Sequence, residues 1–359
     1  MGRLLKFFIM AVLAAAALSG CVEKKILDDI SLVNGIGFDY YDETKIRGTV
    51  IYPYYLPEKD PEDKTFTAVS EIKKTILDDI GRQTADPVVT GSLNIILFGE
   101  ELAERKGILE LVDAFQRDPG VGSTLYLAVV EGTAREFLEE NYRYRSTAEL
   151  VSRIIQHNID RGDLPKTNLQ RFLFDYYQRG KTPFMPRLKR KPGKIVDLDG
   201  INLFCKGKIA DYLPPDKMFF FKLLVDEYSE GLYLVEIDEG KASVHSIRSK
   251  RKFRLMEKDP YKIRVEIDVN GVIDEFTGNE LKPATMKKLE HEFENMIKEE
   301  CTKLIRRFKE KEVDPAGFGQ FVKTKIRNFD IEKWRNTDYK DLTVEIKPTV
   351  KITQSGVIE

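Results

Sequence analysis

The sequence holds three histidines and three cysteines, the side chains best suited to metal binding and nucleophilic catalysis. His157, His245 and His291 stand alone, with no second ligand at a helical or strand spacing suited to zinc. No metal site is expected, and each imidazole reads as a surface or half-buried residue. Cys205 lies in a strand-like segment with no histidine near it in sequence, so a nucleophile there needs a tertiary partner and a structural thiol is the expectation. Cys301 falls on the apolar stripe of a helix and is expected to pack as a small hydrophobic side chain. One disulfide between these two thiols stays open. Gly35 and Gly37 give a G-x-G after a strand, but a polar turn and a second strand follow where a dinucleotide site needs a helix. Gly99 stands between a strand and a helix, a place where backbone N–H groups receive anions. Glu100, Glu101 and Glu104 fill that first turn and would repel phosphate. There is no G-x-S-x-G elbow, no P-loop and no carboxylate pair that stands out, so neither a catalytic residue nor a cofactor is expected.

The chemistry of Cys21 is of another kind. Arg3 and Lys6 precede an apolar run from Phe7 to Leu18, the pattern of an export signal. That run is short for a bilayer span, which needs roughly 20 apolar residues. Leu18-Ser19-Gly20-Cys21 closes it and resembles the bacterial lipobox, which implies cleavage between Gly20 and Cys21, a diacylglyceryl group on the sulfur and an acyl chain on the new amino terminus. One chain holds a protein marginally at a membrane and a second makes the attachment stable. Val22 to Asp29 then reach roughly 30 Å at full extension, so the folded body is expected to stay near the membrane lipid.

The 359 residues allow two or three domains. Lys+Arg number 58 against 59 Asp+Glu, a balance that gives no case for nucleic-acid binding. Residues 1–20 read as the signal, 21–29 as the tether and 30–180 as an α/β domain. In that domain "LVNGIGFDY" and "IRGTVIYP" form a hairpin turning at Asp42 to Lys45, and Phe66, Val69, Ile72, Ile76 and Ile80 predict a helix. "SLNIILF" and "STLYLAVVEG" predict strands, with a helix from Glu100 to Phe115 between them. Thr133 with Glu136, Ser146 with Glu149 and Thr167 with Gln170 have the spacing of capping boxes. The basic, proline-containing stretch 181–195 reads as a linker, able to lie against anionic headgroups but more simply a solvated segment; "RSKRKFR" at 248–254 carries the same two readings. Residues 196–359 read as α+β, as one unit or as two subdomains divided at about 230: strand-turn-strand in "VDLDGINLFCKGKIADYL", a meander, a helix with Met286, Leu289, Phe293, Ile297, Cys301, Leu304 and Phe308 on one stripe, and a last strand. The fold class is multi-domain α+β, mixed α/β.

Several stretches keep one order along the chain: Cys21, "VNGIGFDY", "VIYP", "NIILFGEELAERKGI", "DAFQRDP", "DLDGINLFCKGKIADYL", "DPAGFG" at 314–319 and "WRNTDYKDLTVEIKPTVKITQSG". In these the chain resembles the Ger(x)C proteins, the C-subunit lipoproteins of spore germinant receptors. Val22-Glu23 stand where that family often has Trp-Asp. The resemblance implies a three-domain lipoprotein on the outer face of the spore's inner membrane, beside integral membrane A and B subunits of a nutrient receptor. It implies no catalytic residue and names no small-molecule ligand for this subunit. A solute-binding lipoprotein of a transporter, with a ligand between two hinged lobes, is the alternative; a surface-anchored hydrolase has no recognisable nucleophile to support it.

Overall fold

The structure, a computed structural model, describes residues 30–54, 62–71, 73–122, 124–142 and 146–354. The signal, Gly20, Cys21 and the tether up to Asp29 lie outside the described residues. The first half contains β1 (Ser31–Leu32), β2 (Gly35–Tyr40), β3 (Ile46–Tyr54), β4 (Glu62–Ser70), α1 (Lys73–Gly81), β5 (Val88–Val89), β6 (Ile95–Gly99), α2 (Glu100–Arg105) and α3 (Leu109–Gln116). It continues through β7 (Tyr126–Val130), α4 (Ala134–Glu139), α5 (Thr147–Asp160), α6 (Leu169–Tyr177), β8 (Phe184–Lys191), β9 (Ile195–Cys205) and β10 (Lys208–Leu213). Eight strands form one sheet in the order β10-β9-β8-β7-β6-β2-β3-β4, while β1 and β5 pair as a separate parallel bridge. The centre, β2, β6, β7 and β8, is parallel; antiparallel hairpins extend both edges. Helices α1, α2, α3 and α6 cover one face and α4 and α5 the other. Covered on both sides, β2 and β6 need apolar residues at every position and not an alternation, which is what "GIGF" and "IILF" supply.

The expected hairpin forms: Gly35 faces Ile51, and the Asp42 carboxylate accepts the N–H groups of Thr44 and Lys45 at 2.8 and 2.7 Å. The helix expected from Phe66 to Ile80 does not. Phe66 and Val69 lie on β4, Ile76 and Ile80 are on α1, and Ile72 lies outside the described residues. Thr65, Thr67 and Val69 are β-branched residues that suit a pleated strand, and three-residue spacing of two apolar side chains was too short a signal to override them. Thr133 caps α4, accepting the Glu136 N–H at 3.2 Å. Ser146 stands before α5 but its hydroxyl accepts from Asn34 Nδ2 at 2.6 Å, and α6 is capped by Asn168 instead of Thr167, through the Arg171 N–H at 2.8 Å.

The basic stretch is no linker. Residues 184–191 are β8, parallel to β7 and antiparallel to β9, so the first sheet runs on to Leu213 and the expected divisions at 181–195 and 196 fall inside it. Pro186 is tolerated because the β8–β9 register shifts between Pro186 and Leu188, a bulge that spares the missing N–H. Acids from other elements neutralise the run: Lys191 lies 2.6 Å from Asp197, Arg190 3.0 Å from Glu136 and Lys194 2.9 Å from Glu140.

The second half packs α7 (Met218–Val225), β11 (Tyr228–Ile237), β12 (Gly240–Lys258), β13 (Tyr261–Phe276), α8 (Pro283–Glu310), α9 (Phe318–Lys325) and β14 (Thr343–Gln354). The sheet order is β11-β12-β13-β14, with β14 parallel to β13. The meander is present, but "ASVHSI" and "KFRLME" belong to one strand, β12, carried past three register shifts by bulges. Within "RSKRKFR" the strand alternation turns Arg251 inward and leaves Arg248, Lys250, Lys252 and Arg254 partly or fully exposed, Arg254 paired with Glu266 at 2.7 Å. The apolar stripe of α8 packs on this sheet with Leu289, Phe293, Ile297, Cys301, Leu304 and Phe308 buried. Between the two sheets sits α7, all of whose residues but Phe219 are buried: Phe221 meets Phe184 of the first sheet edge-on at 5.2 Å and Phe308 of α8 at 6.1 Å. One continuous core therefore joins both halves. At the free edge of β14, Val350 and Ile352 donate their N–H groups to Glu294 and Glu290 of α8, each at 2.9 Å.

Candidate functional site

Open α/β sheets bind ligands outside the carboxyl ends of their parallel strands, so the ends of β2, β6, β7 and β8 were the first place for chemistry. The chain fills that place with its own groups. Asp39, at the end of β2 and 2% exposed, accepts the N–H groups of Ala134 and Arg135 at 2.6 and 2.9 Å, so a side-chain carboxylate takes the position at the start of α4 that an anion would occupy. Burial pushes its carboxyl above the usual range, against the pull of those two N–H groups and of Arg47. Gly99 is required beside it, since a Cβ there would come within 2.3 Å of Asp39 Oδ1. Two strands beyond β6, Arg187 of β8 pairs with Glu100 and, at 3.2 Å, with Asp199, which also holds Lys189. The Arg187 guanidinium lies over the Tyr212 ring at 4.9 Å. The Glu100 of the sequence reading is in place; Arg187, expected in a linker, is its partner.

Gly35 and Gly37 serve packing. A Cβ at Gly35 would stand 2.8 Å from the Ala148 Cβ of α5, and one at Gly37 would stand 2.9 Å from the Ala134 Cβ of α4, so the helices approach β2 more closely than any side chain permits. Gly37→Ala should displace α4 and lower stability by about 1–3 kcal/mol, read as a shift in the denaturant midpoint at unchanged slope.

A second cluster ties the halves together. In Asp314-Pro315-Ala316-Gly317-Phe318-Gly319 the Asp314 carboxylate accepts the N–H groups of Gly317, Phe318 and Gly319 at 2.8, 3.0 and 2.8 Å. Burial raises its pKa to about 6, outweighing those three bonds and the nearby Lys181. Gly180, with φ of +95°, lies against this turn and accepts the Gln320 N–H at 2.9 Å; a Cβ on it would meet Gln320 N and Gly319 C at 2.7 Å. Lys181 reaches the buried Asp175 at 2.9 Å, and Arg171 flanks the same carboxylate at 3.3 Å. Arg251, its pKa pulled down to about 10 by burial, donates to the Leu224 and Ala316 carbonyls at 2.8 and 3.3 Å. Removing one member of such a set strands the others without partners. The role of Asp314 was missed in the sequence; an acid three residues before a Gly-x-Gly is the signal "DPAGFG" offered.

Among the described residues no group of three or more His, Cys, Asp or Glu side chains is placed to hold a metal ion. Cys205, half-buried, and Cys301, buried, are free thiols and not a disulfide. Cys301 packs in the α8 stripe as expected, its thiol pushed up by burial. No helix among the described residues is long and apolar enough to cross a membrane. Cys21 and Gly20, the lipidation and cleavage residues of the sequence reading, lie outside the described residues.

Two family models cover nearly all of the chain: "Spore germination protein N-terminal domain" matches residues 23–190, and "Spore germination B3/ GerAC like, C-terminal" matches 199–356. The chain belongs to the Ger(x)C family of spore germination proteins. Spore germination protein GerQC of Bacillus cereus is 31% identical over 99% of this chain and 100% of its own length. Spore germination protein B3 of Bacillus subtilis (strain 168) is 21% identical, covering 95% of this chain and 96% of its own. The crystal structure of the GerBC protein shares the fold, with a TM-score of 0.60 at 15% sequence identity over 90% of this chain and 98% of that one. The role of this Ger(x)C chain is in spore germination. The two family halves meet within the β8–β9 hairpin, a place where the sheet is continuous.

Proposed function

We propose that the chain is the lipid-anchored subunit of a nutrient germinant receptor, held by acyl groups on Cys21 at the outer face of the spore's inner membrane. It acts by protein–protein contact with integral membrane A and B subunits and catalyses no reaction. The observation that carries this reading is the strand-end crevice: its anion position is taken by Asp39, and Arg187 at the end of β8 is taken by Glu100 and Asp199. A scaffold whose usual ligand position is closed from within is suited to present surfaces. The core shared through α7 likewise supports a single docking body over two lobes hinged around a solute.

The test is recovery of the complex from spore membranes with wild-type and Cys21→Ala chains. Wild type should bring down two polytopic subunits. Cys21→Ala should lose membrane retention, since a tether without acyl chains has no hold on the bilayer, and germination should slow. Recovery of an ATP-driven permease would overturn the receptor reading.

A further inference from the structure

The described chain begins beside a cluster of loops at the amino ends of the parallel strands. Ser31 and Val33 donate to the carbonyls of Pro87 and Val89 at 2.9 and 3.0 Å, which fixes β1 against β5. Thr90, just past the end of β5, donates its hydroxyl to Asp118 at 3.2 Å, and Asp118 accepts the Gly120 N–H at 3.0 Å and the Val121 N–H at 3.1 Å. Val121 and Gly122 then line a groove of about 540 Å³ whose other wall is α6, with Leu173, Phe174 and Tyr177. So a few hydrogen-bonded steps separate the start of the described chain from the outer side of α6.

That side of α6 is unusual for a short helix. Leu169, Phe172 and Leu173 face the core, and Asp175 the domain joint. Phe174 and Tyr177, three residues apart on one face, are 49% and 56% exposed. Arg171 lies 6.0 Å over the Phe174 ring, and the Tyr177 hydroxyl donates to Asp113 at 2.9 Å. Aromatic rings with a polar tip and a neighbouring cation are the side chains that settle at a bilayer interface. The tether of Val22 to Asp29 is too short, at roughly 30 Å fully extended, to carry this end of the body far from the lipid.

We propose that Phe174 and Tyr177, with Val121 and Gly122 beside them, form a second, side-chain contact with the membrane, resting in the headgroup region of the bilayer to which the chain is tethered. This rests on the reading of Cys21 as the acylated residue. The anchor sets the distance and the aromatic patch sets the orientation, so the remaining faces of the body are directed toward partner subunits.

The mature lipoprotein, reconstituted in phosphatidylcholine–phosphatidylglycerol vesicles whose acyl chains carry bromine at a shallow position, provides the test. Wild type has one tryptophan, Trp334, which is 1% exposed and serves as the unquenched reference. Phe174→Trp and Tyr177→Trp chains should float with the vesicles and lose emission from the added indole, with a blue shift, while Phe174→Glu combined with Tyr177→Trp should float without that loss. Flotation with every chain matching wild type overturns the aromatic contact and leaves the anchor standing. Shielding of the indoles that appears only with co-reconstituted integral membrane subunits, without lipid quenching, assigns the patch to a protein and overturns the lipid contact. Failure to float overturns anchor and patch together.

Discussion

Asp314→Ala should destabilise the chain by about 3–5 kcal/mol, the range for removing one partner from a buried ionic set, and chemical denaturation followed by circular dichroism checks it. The carboxylate holds three backbone N–H groups of the 317–319 turn, and each buried donor left unmade costs about 1–3 kcal/mol. The turn also packs on Gly180, beside the Asp314 backbone N–H that donates to Thr182 Oγ1 at 2.8 Å, so a turn that has lost its carboxylate loosens the contact between α6–β8 and the second half. Domains of this kind have only about 5–15 kcal/mol of net stability; spores carrying the variant should hold less of the protein by immunoblot and germinate more slowly. The same residue gives a pH dependence with an unusual sign. Its folded pKa of about 6 is above the ordinary 3.8, so between those values the folded state binds more protons than the unfolded. Its contribution to stability is then full below the unfolded value and is lost as pH rises through 6. Comparison of melting temperature against pH from 4 to 7 for wild type and Asp314→Asn should show a wild-type slope that is the more negative of the two.

Asp39→Ala should cost about 3 kcal/mol, because two N–H groups at the start of α4 lose a charged acceptor inside the protein. Asp39→Asn, which retains one acceptor oxygen, should cost less. Both are read as denaturant midpoints, and the order of the two separates the role of the charge-assisted bonds from that of bulk. Asp39 sits 2.3 Å from where a Gly99 Cβ would stand, so Gly99→Ala should displace the carboxylate and reproduce most of the loss. An Asp39→Ala midpoint equal to that of wild type would mean that the strand-end crevice is open enough for water to replace the carboxylate.

Local pattern revealed much of the sheet and little of how its halves join. The β2–β3 hairpin, β6, β7 and the α8 stripe were legible because each is a run whose apolar period is set by its own burial. Thr133 was legible because a capping box acts within four residues. The β8 strand was not: Pro183, Pro186 and Pro192 look like punctuation, and the acids that neutralise Arg187 and Arg190 come from Glu100 and Glu136, some 87 and 54 residues away. Asp39 lay in plain view in "GIGFDY", but its burial depends on α4 folding over it. Phe174 and Tyr177 gave a compositional hint, since "LQRFLFDYY" carries more apolar side chains than one helix face can bury. Which of them remain outside is decided by Asp175 and Lys181 pulling the other side of the helix into the joint.

The two glutamates of α8 that cover the Val350 and Ile352 amides also guard the chain against its own copies. A bare strand flank would invite neighbouring copies of the chain to zip together side by side. Glu290 and Glu294 occupy that flank with negative charge, and Pro348 offers no donor just before it. Copies of the chain are thereby kept from fusing into fibrils through this rim.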